Sequence, residues 1–309
     1  MMPLRHSTPS RRQDRASEIP MTDSSIRPLA AGELESALTL SSTAGWNQRL
    51  DDWRLLLTIA PAGSVAAVVE ERIVGTAIGI DYGGFGWIAM MLVDPAYRGQ
   101  GFGRGLLQAA MDAIPPDRPI RLDATPMGRP LYRSFGFVEE ASLSRLVAGP
   151  SARHVPPADA SIDVHALAGT DLRAIAEQDR ETFGGNRAAV LEWALARAPD
   201  YAHVVRDAGD LQHYCFGRRG RLFDQVGPVV AADARTAQSL VSAALGRSGD
   251  RAIAIDVFDD QVELTGWLHD SGFRVERPLF RMCRPAPGGS PFRGGPAPGE
   301  FAIFGPEFG

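Results

Sequence analysis

The stretch VDPAYRGQGFGRGLLQAAM, residues 93–111, sets four glycines and two arginines between an apolar run and a segment with leucine, alanine and methionine at helical spacing. A glycine-rich turn that enters a helix leaves several N–H groups aimed at one spot, with the positive end of the helix dipole behind them. Such a turn is an anion site, because bare backbone lets the ligand approach closely. Each hydrogen bond to a charged phosphate contributes on the order of 1.5–3 kcal/mol. Three or four adjacent amides engage more oxygens than one carboxylate offers, so a diphosphate is the expected ligand.

Spacing narrows the choice of diphosphate. A dinucleotide GxGxxG fingerprint would need glycine at 104 or 106, where Arg104 and Leu106 stand. The chain has no lysine, which removes the Walker P-loop and lysine Schiff-base chemistry. A net charge of −5 argues against nucleic acid as the main partner. No window approaches the roughly 20 apolar residues of a membrane span. Cys215 and Cys283 form no CxxC pair and read as reduced, buried thiols of a cytoplasmic protein. The histidines show no metal-ligand spacing, so no metal is expected.

At 309 residues the chain is long enough for two domains, and a repeat supports that division. RPIRLDATPMGRPLYRSFGFVEEASLSRLV (118–147) resembles RAIAIDVFDDQVELTGWLHDSGFRVERPLFRMC (251–283). In both, an alternating strand ends in Asp (Asp123, Asp256), a helix-length segment follows, and Gly136-Phe137 or Gly272-Phe273 opens another strand. A period of roughly 135 residues suits a duplicated domain and not a solenoid. Each half reads as strand, helices, a meander, helix, strand, helix, strand. The segments 1–21 and 285–309 read as a disordered leader and a flexible Pro/Gly-rich tail, the latter ending in the more apolar FAIFGPEFG. Met1 and Met21 both stand as possible first residues.

Two motifs identify a family. RGQGFG follows the strand GWIAMMLVD (86–94) and matches Arg/Gln-x-x-Gly-x-Gly, and LYRSFGF (131–137) is a tyrosine-bearing helix leading into a Gly-Phe strand. On these residues, across 25–147, the chain resembles the GNAT superfamily of acetyl-CoA-dependent N-acetyltransferases. The resemblance implies an α+β chain of two tandem GNAT-like domains, 22–148 and 162–284, joined by a linker at 149–161. Each would hold a mixed, mostly antiparallel sheet flanked by helices. It further implies that Met91, Leu92 and Val93 face the pantetheine of acetyl-CoA, that Arg98, Gly99, Gln100, Gly101, Phe102, Gly103 and Arg104 hold its pyrophosphate, and that Tyr132 protonates the departing thiolate. Thr125 or Asp123 would stand in for the asparagine that many relatives place against the pantetheine, and Arg133 would reach the 3′-phosphate or lie on a solvated helix face.

The acceptor is expected to be a small-molecule amine held near Trp46, Asn47 and Gln48, a cluster that buried helix tryptophans explain as well. Asp179, Phe183 and Arg187 either close that site or cap a turn. For the general base, Asp81 and Tyr82 remain by elimination, while Asp94 shapes a turn. In the second half AADARTA (231–237) falls where RGQGFG would be, with Asp233 where a phosphate would sit and Leu268 at the place of Tyr132, so that half is expected to lack the cofactor site. The alternatives are a non-catalytic acyl-CoA-binding or sensing protein and a transferase of another acyl group. The oligomeric state stays open.

Overall fold

Alternating β-branched and small apolar residues build the meander of each half, and turn chemistry closes it. In a computed structural model describing residues 24–157, 159–207, 210–289 and 298–309, the first half runs β1 (Ser24–Pro28), α1 (Leu34–Thr43), α2 (Leu50–Ile59), β2 (Ser64–Val69), β3 (Arg72–Asp81), β4 (Gly86–Val93), α3 (Phe102–Asp112), β5 (Ile120–Ala124), α4 (Arg129–Arg133) and β6 (Val138–Ala148). The second half runs β7 (Val164–Ala166), α5 (Leu172–Phe183), α6 (Ala188–Arg197), β8 (His203–Asp207), β9 (Asp210–Arg218), β10 (Asp224–Val230), α7 (Ala234–Leu245), β11 (Ile253–Phe258), α8 (Val262–Asp270) and β12 (Arg274–Arg284), then adds β13 (Glu300–Ile303). The β2–β3 hairpin turns through Glu70 and Glu71, both at positive φ. On α3 the buried residues Leu106, Leu107, Ala110 and Met111 form one stripe of the helix.

All strands join one 13-stranded sheet in the order β1-β2-β3-β4-β5-β12-β6-β11-β13-β10-β9-β8-β7. Its pairings are antiparallel except for β4 with β5 and β10 with β11. The last strands of the two halves are exchanged: β12 pairs with β5 of the first half, and β6 with β11 of the second. The expected linker at 149–161 therefore divides the chain without dividing the sheet. On one face α1, α2, α5 and α6 share a single core containing Trp53, Leu56, Ile175, Leu191 and Phe216. The other face carries separate cores, one under α3 and one under α7 and α8.

The flexible tail expected at 285–309 needs correction at its end. Residues 300–303 form β13, wedged between β10 and β11, and Phe304 and Phe308 are fully buried in the shared core. Burying two phenylalanines stabilises the docked end by roughly 3–6 kcal/mol. Residues 1–21 and 290–297, expected to be mobile, lie outside the described residues.

Candidate active site

The glycine-rich turn enters α3 with Gly99 at φ 78° and Gly101, its N-cap, at φ 90°. L-residues with a side chain rarely adopt this region, which is why glycine stands there. None of the described residues accepts a hydrogen bond from the N–H groups of Gly99 through Gly103, and no side chain caps the helix. Five consecutive N–H groups are thus left without a described acceptor at the positive end of the α3 dipole. A Cβ on Gly103 would sit in ordinary contact with Met91, Val93 and Leu131 at 3.6–3.9 Å, which places this residue against the side chains of β4. Arg98 donates to the carbonyl of Val93 at 3.1 Å, Arg104 to the Ser134 hydroxyl at 2.9 Å, and Gln100 to the carbonyl of Ala96 at 3.3 Å.

Beside this turn β4 and β5 pair only at Gly86–Ile120 and Trp87–Arg121, then part. From Ile88 onward the edge of β4 facing β5 has no strand partner. A bulge sets Met90 and Met91 opposite Ala77, with Met90 at φ 51°. The carbonyl of Met90 accepts the Thr76 hydroxyl at 2.8 Å. Because the peptide is planar and trans, the N–H of Met91 points the opposite way, away from β3 and toward the gap. Met91 and Val93 pack on the α3 side, whereas Leu92 packs into the core beneath α1, so Leu92 offers the gap only its backbone.

The gap ends in a cleft of about 90 Å³ between the halves. Its lining unites Trp46, Asn47, Gln48, Met91, Thr125 and Tyr132 with residues that sequence reasoning missed: Arg145, Arg218, Arg277 and Glu307. Tyr132 is buried and its hydroxyl bonds to none of the described residues; burial holds the phenol well above its ordinary pKa. Glu307 Oε1 accepts from Gln48 at 3.0 Å and from Arg218, which also reaches Asp52 at 3.3 Å. Burial pushes the pKa of Asp52 up to about 6, opposed by Arg218 and reinforced by Glu307. The only hint of Glu307 in the sequence was the apolar character of FAIFGPEFG, which demanded burial somewhere.

Several expected site residues have other tasks. The Asn47 amide is spent on the β9–β10 turn, donating to Phe223 O and accepting from the N–H groups of Leu222 and Phe223. Asp179, Phe183 and Arg187 do not line the cleft. Asp179 binds Arg187 at 2.8 Å and accepts the Tyr214 hydroxyl at 2.6 Å, while Arg187 lies over the Phe183 ring and donates to Gly309 O at 2.7 Å, clamping the end of the tail. Tyr82 donates to Phe308 O at 3.0 Å, and the Asp81 carboxylate accepts from Gly83 N at a turn, so neither lies in the cleft. Arg133 is an exposed partner of Glu139. Asp123 is held through both oxygens by Arg281 at 2.9 Å and is not free to bind a ligand.

Two family models match this chain, at residues 61–139 and 175–290, and both describe an acetyltransferase (GNAT) domain. The chain belongs to the GNAT acetyltransferase superfamily. It is 25% identical over 209 residues to the uncharacterized N-acetyltransferase YitH of Bacillus subtilis, covering 65% of this chain and 71% of that protein. The fold is similar to a putative acetyltransferase from Pyrococcus horikoshii, with a TM-score of 0.73, 21% identity and coverage of 93% and 96% of the two chains. It is also similar to a tandem GNAT protein from the clavulanic acid biosynthesis pathway, with a TM-score of 0.58, 14% identity and coverage of 84% and 98%. Among the described residues no group of His, Cys, Asp or Glu is placed to hold a metal ion, and no helix is long and apolar enough to cross a membrane.

In the second GNAT domain the equivalent positions are closed. Asp233 caps α7, its carboxylate accepting from Thr236 N at 2.8 Å, so the helix end that is open in α3 is already occupied. β10 and β11 also pair at only two positions before parting, but β13 fills the gap, setting Val229 opposite Ala302 and Asp256 opposite Ile303. The fit depends on Gly227, where a Cβ would lie 2.0 Å from Ile303 O. Leu268 is fully buried.

Proposed function

We propose that this GNAT protein is an acetyl-CoA-dependent N-acetyltransferase whose first domain alone binds the cofactor. The observation that carries this reading is the run of free amides from Gly99 to Gly103 at the open end of α3, directly beside the unpaired edge of β4. These amides hold the pyrophosphate, and the β4 edge pairs with the amide groups of the pantetheine arm. Acetyl-CoA supplies the acetyl group as a thioester. The Met91 N–H faces the position where negative charge gathers on the acetyl oxygen. Glu307 has one oxygen outside its bonds with Gln48 and Arg218, and it takes the proton of an incoming ammonium so that the free amine attacks directly. Tyr132, kept protonated by burial, donates to the departing sulfur.

Calorimetric titration with acetyl-CoA tests this reading. One site per chain is expected, lost in Gly101→Glu, which places a carboxylate against the phosphate position. A thermal melt confirms that the variant folds. No binding to the wild type overturns the proposal, and two sites overturn the assignment to the first domain.

A further inference from the structure

This inference rests on the cleft being the acceptor site of the function just proposed, and it concerns what the acceptor must look like. Most polar groups of the cleft satisfy one another. Arg145 is held by both oxygens of Asp256 at 2.7 Å, Asp123 is held by Arg281, and the Asn47 amide is spent on the neighbouring turn. A short remainder is left over. Gln48 Oε1 is buried without a partner among the described residues, and so is Arg218 Nε. Arg277 lies on β12 with an unpartnered Nε, and no described carboxylate hydrogen-bonds it. Glu307 Oε2 lies outside the bonds made by Oε1.

Orphaned buried polar atoms each cost about 1–3 kcal/mol, more when charged, so a site that keeps them is shaped for a ligand. Here the orphans have opposite characters. Arg277 and Arg218 Nε present donors on cations, whereas Gln48 and Glu307 present acceptors, one of them a carboxylate. A simple amine would leave the Arg277 fork without a hydrogen-bonded carboxylate, with only the fields of Asp256, Glu276 and Glu307 acting on it, and a simple anion would face Glu307. We infer that the acceptor is a small zwitterion, a primary amine that also carries a carboxylate, with its carboxylate on Arg277 and its ammonium between Gln48 Oε1 and Glu307. A guanidinium suits this role because its fork matches both oxygens of a carboxylate. The free room of about 90 Å³ corresponds to roughly three waters at about 30 Å³ each, the scale of a small amino acid and well short of a folded partner's loop.

The transfer then balances. Glu307 accepts one proton from the ammonium, the nitrogen lone pair forms the C–N bond to the acetyl carbon, and the C–S bond breaks with its electron pair going to sulfur. Sulfur takes the Tyr132 proton, the new amide nitrogen sheds its extra proton to restore the phenol, and Glu307 releases its proton to solvent.

The test measures thiol release from acetyl-CoA with the common amino acids, each beside its carboxamide, using wild type, Arg277→Gln and Arg277→Lys. Acetyl-CoA affinity is measured in parallel. For at least one amino acid, a KM lower than that of its carboxamide by about ten-fold or more is expected. Arg277→Gln is expected to erase that preference with acetyl-CoA binding unchanged, and Arg277→Lys to restore part of it. Equal use of acids and carboxamides, an unchanged preference in Arg277→Gln, or acetyl-CoA binding without turnover of any amino acid overturns this inference alone. Failure to bind acetyl-CoA instead overturns the function on which it rests.

Discussion

Asp123 of the first domain and Arg281 of the second sit opposite each other on β5 and β12, joined through both carboxylate oxygens at 2.9 Å, with both side chains buried. Asp256 and Arg145 repeat the arrangement on β11 and β6 at 2.7 Å. Each repeat thus supplies the partner of the other's carboxylate, which ties the exchanged strands together. Removing Asp123 takes both hydrogen-bonded oxygens from buried Arg281 and leaves it only the longer pair with Glu300 at 3.7 Å, so Asp123→Ala should lower the unfolding free energy in urea by about 3 kcal/mol. In an Arg281→Met background the same change should cost much less. Equal costs in both backgrounds would show that the pair is not coupled.

Tyr132→Phe removes only the hydroxyl that faces the cleft. If that hydroxyl donates the proton, kcat should fall by about 10²–10⁴-fold, with acetyl-CoA affinity within about two-fold of wild type. Steady-state kinetics and calorimetry separate the two. A fall in affinity with kcat preserved would assign the tyrosine to packing.

A Cβ on Gly227 of β10 would lie 2.0 Å from the Ile303 carbonyl oxygen of β13. Gly227→Val should displace β13 and carry Glu307 out of the cleft, because a side chain cannot share space with the Ile303 carbonyl. Amine turnover is then expected to collapse while acetyl-CoA still binds the first domain. Limited proteolysis should find new cleavage near residue 300. An active, protease-resistant variant would refute the link between β13 and the cleft.

Asp52 provides a pH test. Its pKa rises from 3.8 to about 6 on folding, so between these values the folded state holds the proton more tightly than the unfolded chain. Its contribution is most favourable below pH 3.8, declines as pH rises toward 6, and is flat above. The decline at this buried site is on the order of 3 kcal/mol. Asp52→Asn should remove it, which denaturant titrations from pH 4 to 7 would reveal as a difference between the two curves that grows with pH. Parallel curves would mean that Asp52 does not titrate in this window.

Local chemistry made much of this protein legible from its residues alone. The period-2 and helical patterns, the Gly-Phe turns and the repeat identified two α+β domains, since these signals depend on near neighbours in the chain. The run from Arg98 to Arg104 made the open end of α3 legible for the same reason: a helix end and its free amides are made by consecutive residues. Asp233 in the second half was readable as a negative charge in the place of a phosphate, and the fold makes it the cap of α7.

Tertiary structure alone decided which distant groups meet. The repeat marked Asp123 and Asp256 as equivalent, but strand exchange assigned each to an arginine of the other half. FAIFGPEFG was visibly apolar, yet only the assembled sheet offered a gap between β10 and β11 to receive it. That docking brings Glu307 to Gln48 and Arg218 and turns Asp179 and Arg187 into a clamp for the chain's end. Burial and pairing across hundreds of residues are properties of the folded sheet, and no local pattern encodes them.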